Sequence, residues 1–247
     1  MVYPKMIIFD YGHTLLYEPE LAPLKGEKAL FAYVTENPRG ITPEQANEFA
    51  QHIFESFDAV RKCGAEIQEY PALKLKNEYL GLKYSVSMEE AEIILWDHMT
   101  PGAVMPGADI MLDYINKRGI MSAVISNIGW SGHALTNRLN RLLPDNRFEF
   151  VIASSDYAIR KPNRLLFELA LRKAGLDASD VWYCGDNPQA DVEGAAQAGI
   201  YPVWYDNDTE CAYRDKARET VPQCKYLYIK EWSEMIKVLD TMSNTLS

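Results

Sequence analysis

Short apolar runs restrict the fold of this chain more than any other feature of its sequence. Four of them occupy residues 6–9, 122–126, 150–153 and 181–184, and residues 201–204 and 226–229 are two further candidates. Because polar residues do not alternate with apolar ones in these runs, both faces of each strand are expected to be buried. Helical patterns separate most of the runs, at residues 108–117, 135–143, 163–174 and 188–198. This alternation predicts an α/β fold with a doubly wound parallel sheet.

The pattern changes between residues 17 and 100. Four helices are predicted there, at residues 26–35, 43–63, 71–79 and 87–99, and no strand is predicted between them. A segment rich in proline and glycine follows at residue 100 and looks like a linker that returns to the sheet. We therefore predict a core domain of residues 1–16 and 101–247, with a small helical domain of residues 17–100 inserted after the first strand.

Composition and charge indicate what kind of protein this is and which classes of binding partner it favours. The chain has 247 residues, of which 47% are hydrophobic and 24% are charged, as expected for a globular protein with a sizeable core. Its net charge of −10 argues against a broad surface for nucleic acid or for an anionic membrane, although it permits a small anionic substrate. The four cysteines show no zinc-site spacing, and no targeting segment is visible. We expect a cytoplasmic protein, either a monomer or a homodimer.

Polar residues able to carry chemistry follow the predicted strands. In chain order they are Asp10, Ser126 with Asn127, Lys161, Asp186 and Asp191. The carboxyl ends of parallel strands meet at one edge of a sheet, so these residues are expected to lie together. Taken singly, each has an ordinary explanation as a turn residue, a helix cap or a solvated charge. Several of them at one edge are better explained by a shared site.

This set of residue types suits phosphoryl transfer. A carboxylate nucleophile can form an acyl phosphate and so divide one difficult displacement into two steps. Two carboxylates close together can hold Mg²⁺, which prefers oxygen ligands and can bridge to a phosphate. A serine hydroxyl and a lysine ammonium can stabilise the phosphoryl oxygens in the transition state.

Four ordered motifs and the position of the insert make the chain resemble the haloacid dehalogenase superfamily. The motifs are IIFDYGHTL at the first strand, VISN at the second, the lysine of RKP, and WYCGDNPQAD at the fourth. The resemblance implies a HAD-like, Rossmannoid core domain. The helical segment after the first motif is similar to the C1-type cap of subfamily I.

The resemblance also implies a role for each motif residue. Asp10 matches the nucleophile, and Lys161 matches the cation of the third motif. Ser126, Asn127 and Lys161 are the expected substrate-binding residues. Mg²⁺ would be held by the Asp10 carboxylate, the Gly12 carbonyl and Asp186, with Asp191 supporting the metal or the lysine. The expected activity is Mg²⁺-dependent hydrolysis of a small phosphorylated metabolite through an aspartyl-phosphate on Asp10.

The chain departs from this family pattern directly after the nucleophile. Family phosphatases commonly carry a second aspartate at the position of Gly12, and a glycine at the position of His13. Without that acid, His13 could replace it, or the substrate could have a good leaving group. Two other functions stay open: a 2-haloacid dehalogenase, since those relatives also lack the second aspartate, and a degenerate protein that binds phosphate or Mg²⁺ without turnover.

Further candidates for substrate contacts lie outside the motifs. Trp130 and His133 follow the second motif closely enough to reach the mouth of the site. The insert contributes basic residues that fit a solvated surface at least as well as a binding site: His52, Arg61, Lys62, Lys74, Lys76, Lys83 and His98.

Overall fold

The computed structural model describes residues 1–212 and 220–246. Its strands are β1 (Met6–Phe9), β2 (Leu16–Tyr17), β3 (Val34–Glu36), β4 (Lys83–Tyr84), β5 (Ala103–Val104), β6 (Met121–Ser126), β7 (Phe148–Ala153), β8 (Val181–Gly185), β9 (Tyr201–Tyr205) and β10 (Leu227–Ile229). Its α-helices are α1 (Pro23–Phe31), α2 (Pro43–Lys62), α3 (Glu69–Leu80), α4 (Met88–Met99), α5 (Ala108–Lys117), α6 (Gly132–Leu142), α7 (Arg164–Ala174), α8 (Gly194–Gln197) and α9 (Trp232–Leu246).

Six strands form one parallel sheet in the order β10–β9–β8–β1–β6–β7. The strand β1 lies inside this sheet, between β8 on one side and β6 on the other. Its neighbours reverse the direction of winding at this point, which is where open α/β sheets bind their ligands. The predicted doubly wound parallel sheet is confirmed.

Each face of the sheet is covered by helices, which explains why the strand runs are apolar on both sides. Along β1, Ile7 and Phe9 belong to a core cluster with residues of α5, α6 and α9. Met6 and Ile8 point to the opposite face and belong to a second cluster with residues of α7 and α8. All four side chains are fully buried, as the uninterrupted run predicts.

The segment between β2 and β5 contains α1–α4, as predicted, together with one short antiparallel pair, β3–β4. The prediction that no strand interrupts these helices was therefore wrong. The predicted helix 26–35 ends at Phe31, and Val34 and Thr35 lie in β3. Both are β-branched, and such residues favour extended backbone. The chain enters and leaves this insert through the antiparallel pair β2–β5, and the domain boundaries proposed at residues 16/17 and 100/101 stay a prediction.

Further elements differ from the sequence prediction, which also did not include the short strands β2 and β5. The predicted helix 188–198 begins as a π-helix over Pro188–Glu193 and becomes α-helical only in α8. The C-terminal helix α9 was not predicted from the sequence. It packs on the sheet, where its Trp232 stacks on Tyr205 of β9 with ring centroids 4.3 Å apart. Within the part of the chain that the structure describes, no helix combines the length and hydrophobicity that a membrane span needs.

Candidate active site

The predicted site residues meet at the carboxyl edge of the sheet. Asp10 directly follows β1, Ser126 ends β6, and Asp186 directly follows β8. Asp191 lies in the π-helix after β8, and Lys161 lies in the loop between β7 and α7. All five are at most 7% exposed, so the edge forms a buried polar cluster of three carboxylates, a hydroxyl and a lysine.

Lys161 is the centre of this cluster. Its Nζ lies 2.6 Å from Asp10 Oδ1 and 2.7 Å from Asp191 Oδ1. It also lies 2.8 Å from the Tyr183 hydroxyl and 3.0 Å from the Ile125 carbonyl oxygen. One buried ammonium is thus surrounded by four oxygens, two of them from carboxylates, which fixes both aspartates relative to the lysine.

Burial and the neighbouring charges together raise the pKa values of both Asp10 and Lys161. Burial raises the pKa of Asp10 to about 6; the Lys161 ammonium opposes this and the Asp191 carboxylate adds to it. Burial alone would lower the pKa of Lys161, but Asp10 and Asp191 outweigh it and raise that pKa above its ordinary value. The lysine is therefore held as a cation, which is the form needed to bind phosphoryl oxygens.

Asn127 fixes the backbone of Lys161. Its Nδ2 donates to the Lys161 carbonyl oxygen at 3.0 Å, and its Oδ1 accepts from the Lys161 N–H at 2.7 Å. This contact favours positioning of the lysine, whereas the substrate-binding role expected for Asn127 stays a prediction. The neighbouring Ser126 is 2% exposed, and among the described residues no hydrogen bond engages its hydroxyl.

Three carboxylates of the cluster form a group that could hold a divalent cation. Oxygens of Asp10, Asp186 and Asp191 all lie within 4.8 Å of one another and are buried. Three carboxylates against one lysine leave an excess of negative charge, and hard oxygen donors suit Mg²⁺. Both oxygens of Asp191 have protein partners, since Oδ1 lies beside Lys161 and Oδ2 accepts the Asn187 N–H at 2.9 Å. These contacts favour Asp10 and Asp186 as direct ligands and Asp191 as the anchor of the lysine.

The turn after Asp10 has room for a side chain at position 12. A Cβ built on Gly12 would meet no atom nearer than Asp10 Oδ2, at 4.0 Å. The next residue, His13, has a φ of 56°, in the left-handed region that favours glycine. A glycine would adopt this conformation without strain, and here a histidine adopts it.

The matched sequence range decides the family. Residues 42–204, more than half of the chain, match the family model described as haloacid dehalogenase-like hydrolase. The chain belongs to this family. The predicted family and its hydrolase activity are confirmed, whereas the C1 subtype of the cap stays a prediction.

Relatives of this haloacid dehalogenase-like hydrolase include enzymes named as phosphatases. This chain is 27% identical to the glyceraldehyde 3-phosphate phosphatase of Pyrococcus abyssi, over 81% of each of the two chains. It is 34% identical to the phosphoserine phosphatase of Thermus thermophilus over 41% of this chain and 40% of that enzyme. The 2-haloacid dehalogenase structure from Pseudomonas syringae superposes with a TM-score of 0.58 over 98% of this chain and 99% of that one, at 22% identity. This structural likeness shows the fold.

Sequence reasoning missed one residue within the cluster and one that braces it. The Tyr183 hydroxyl lies 3.1 Å from the Ile125 carbonyl and 3.2 Å from Asp191 Oδ1, yet its position in an apolar strand gave no sign of this. Glu66 of the insert is buried and pairs with Arg160, the residue before Lys161, and with Arg61. In the sequence it is one of many acidic residues, because the partner that defines it is 94 positions away.

The remaining sequence candidates lie in different surroundings. Trp130 is buried and stacks on Trp96 at 5.1 Å, and Trp96 contacts the Tyr11 ring at 6.0 Å. A row of three rings thus extends from the residue after Asp10 to Trp130. His133 is exposed. Lys76 is buried against Glu27, in contrast to a solvated surface lysine.

Proposed function

We propose that this protein is a Mg²⁺-dependent phosphatase that hydrolyses a small phosphorylated metabolite through an aspartyl-phosphate on Asp10. The observation that carries the proposal is the buried Lys161 held between Asp10 and Asp191, beside Asp186. A carboxylate, a cation and a metal-type carboxylate cluster are the groups that phosphoryl transfer requires. The names of the two phosphatase relatives support a small phosphate ester as substrate.

Each residue then has a defined task. The Asp10 carboxylate attacks phosphorus, forming an acyl phosphate while the bond to the ester oxygen breaks. Lys161 and the Ser126 hydroxyl bind the phosphoryl oxygens, and Asp191 with Asn127 keeps Lys161 in place. Mg²⁺ held by Asp10, Asp186 and the Gly12 carbonyl would neutralise negative charge on the phosphoryl group. Water then attacks the acyl phosphate, releasing inorganic phosphate and restoring Asp10.

The decisive test is phosphate release from 4-nitrophenyl phosphate with and without Mg²⁺. Wild type is expected to release phosphate only with the metal, and Asp10→Asn is expected to lose this activity, because an amide is a poor nucleophile. Asp145→Asn is the matched control, since Asp145 is an exposed aspartate outside the cluster. Release that survives Asp10→Asn would contradict the proposal.

One observation favours a second candidate, a 2-haloacid dehalogenase. Gly12 leaves the site without the second aspartate, and dehalogenation does not require that acid. Such an enzyme would release halide from a 2-haloacid without a metal. Asp186 and Asp191 argue for the phosphatase, since with Asp10 they place three carboxylates around one lysine, and a bound cation would balance the excess negative charge. Halide release without phosphate release would reverse this choice.

A further inference from the structure

The helical insert contains a cavity of about 460 Å³ that is partly open to solvent. All four of its helices contribute to the wall, through residues such as Pro23, Phe54, Leu73 and Met99, and Trp130 lines it from the sheet domain. Protein interiors are close-packed, with few voids larger than a water molecule. Cavities of about 300–1,000 Å³ with an apolar lining are typical of small-molecule sites. We call this space the insert cavity.

The apolar wall of the insert cavity contains one ion pair. Glu27 of α1 and Lys76 of α3 line it, and each side chain is 2% exposed. The Lys76 ammonium donates to Glu27 Oε1. Glu27 Oε2 is also buried, and no group among the described residues donates a hydrogen bond to it. A buried carboxylate oxygen without a donor is costly, so a ligand that brings a donor to this atom would relieve that cost.

We propose that the insert cavity binds an apolar organic molecule, or part of one, that carries a hydroxyl group placed between Glu27 and Lys76. The hydroxyl would donate its proton to Glu27 Oε2 and accept a hydrogen bond from the Lys76 ammonium. The apolar body would contact the aliphatic and aromatic side chains of the wall. The apolar body of the ligand is inferred from the apolar lining residues, and its hydroxyl group is inferred from Glu27 and Lys76.

The ion pair distinguishes a hydroxyl from other head groups. A carboxylate would meet the negative charge of Glu27, and an ammonium would meet the positive charge of Lys76. A pure hydrocarbon would leave Glu27 Oε2 without a donor. Sites that contain buried polar groups reject ligands lacking the matching partner, because the polar group then stays unpaired.

Direct binding of 2-naphthol and of naphthalene to the full-length protein tests this, by fluorescence titration. We expect 2-naphthol to bind wild type about tenfold more tightly than naphthalene, the effect of about one net hydrogen bond. In Glu27→Met/Lys76→Met, which replaces both charges together and so leaves no unpaired ion, we expect the two probes to bind within about threefold of each other. Equal affinity of the probes for wild type would overturn the proposal.

A filled cavity provides the second test. Ala50 of α2 lines the insert cavity, whereas Ala59 of the same helix is exposed and lies outside the lining. Ala50→Phe is expected to reduce 2-naphthol affinity at least about tenfold, because the added ring occupies the space, and Ala59→Phe is expected to leave it unchanged. Equal affinities of the two variants, with circular dichroism showing both folded, would overturn the proposal. So would the absence of binding to wild type.

The same probe shows whether the bound hydroxyl compound is the leaving group of the substrate or a separate effector. If 2-naphthol competes with 2-naphthyl phosphate for hydrolysis, the insert cavity receives the leaving group of the substrate. If it binds without competing, the cavity is a separate effector site. Since the affinities are measured without turnover, the binding result does not depend on the phosphatase proposal.

Discussion

At the scale of single residues, position 12 determines whether the site contains a general acid beside Asp10. Gly12 offers no proton to the leaving oxygen, so an alkoxide must be protonated by another source. The packing of the turn does not require a glycine at position 12, because a Cβ built there would lie 4.0 Å from Asp10 Oδ2. The turn therefore has room for an acidic side chain at position 12, so the effect of restoring the acid can be tested by substitution.

We predict that Gly12→Asp raises the kcat for an alkyl phosphate by about 10²-fold, within the range that a general acid contributes. Hydrolysis of 4-nitrophenyl phosphate should change much less, since its leaving group needs little protonation. Gly12→Asn is the control, because it has the same size without an acidic proton. Equal alkyl phosphate rates for the two variants would show that no acid acts from this position.

For His13 we predict a conformational role. Its backbone is left-handed, and its N–H donates to the Leu16 carbonyl at 2.7 Å, so it shapes the turn that follows the nucleophile. Asparagine tolerates this conformation better than most residues. His13→Asn should therefore leave kcat within about threefold of wild type and keep its pH profile. A loss of about 10²-fold with an altered acid limb would instead assign acid–base catalysis to His13.

At the scale of elements, one segment of the insert braces the loop that carries Lys161. Residues Ala65 and Ile159 form an antiparallel bridge, and the Arg160 N–H donates to the Gly64 carbonyl at 3.1 Å. The buried Glu66 carboxylate accepts from Ser154 Oγ at 2.9 Å and also pairs with Arg160. The insert thus contacts the two residues that immediately precede Lys161, and its position is linked to that of the lysine.

Replacing Glu66 should weaken this link. We predict that Glu66→Gln lowers the free energy of unfolding by about 2 kcal/mol, because hydrogen bonds to charged groups are worth about 1.5–3 kcal/mol. It should also lower kcat severalfold as the Lys161 loop loosens. Denaturant unfolding and 4-nitrophenyl phosphate kinetics measure the two effects.

Glu78→Gln is the matched control for Glu66→Gln. Glu78 is 71% exposed and its pair with Lys74 spans 3.9 Å, so its removal should cost less than about 0.5 kcal/mol. If both variants had the same stability and kcat as wild type, Glu66 would not brace the loop.

The same elements show what sequence can and cannot predict here. The strands of the sheet were predictable because each run is apolar on both faces, and the strand ends therefore located Asp10, Ser126 and Asp186. The partners of Lys161 could be predicted from sheet geometry and from the family resemblance together. Tyr183, Glu66 and the Glu27–Lys76 pair could not, because a buried polar residue is recognised only by a partner that is distant in sequence.

At the scale of the whole molecule, the contact between the insert and the sheet domain contains several carboxylates. Glu69 of α3 is 6% exposed, and its backbone N–H donates to the Gly129 carbonyl at 2.8 Å. Burial raises the pKa of Glu69 from an ordinary value of 4.5 to about 8, with Glu92 and Glu66 adding to the shift and Arg61 opposing it. Between these two values, Glu69 is expected to be protonated in the folded protein and ionised in the unfolded chain.

Stability should therefore decrease as the pH rises through this window. Between about pH 4.5 and pH 8 the folded state binds more protons at Glu69 than the unfolded state, so the free energy of unfolding falls with increasing pH. We predict that wild type loses at least about 1 kcal/mol more than Glu69→Gln between about pH 5 and pH 8.5. Urea unfolding at several pH values measures this, and parallel curves for the two proteins would contradict it.

The position of β1 inside the sheet also has a consequence for biosynthesis. This strand leaves the ribosome well before its partners β6 and β8, which begin only at residues 121 and 181. The insert can form its local helical contacts in the interval, while the apolar residues of β1 stay unpaired. Strands that are far apart in sequence pair slowly, and an apolar strand that waits for its partners is prone to aggregation. The apolar residues of β1 are therefore expected to stay exposed during synthesis until first β6 and then β8 emerge and pair with the two edges of this strand.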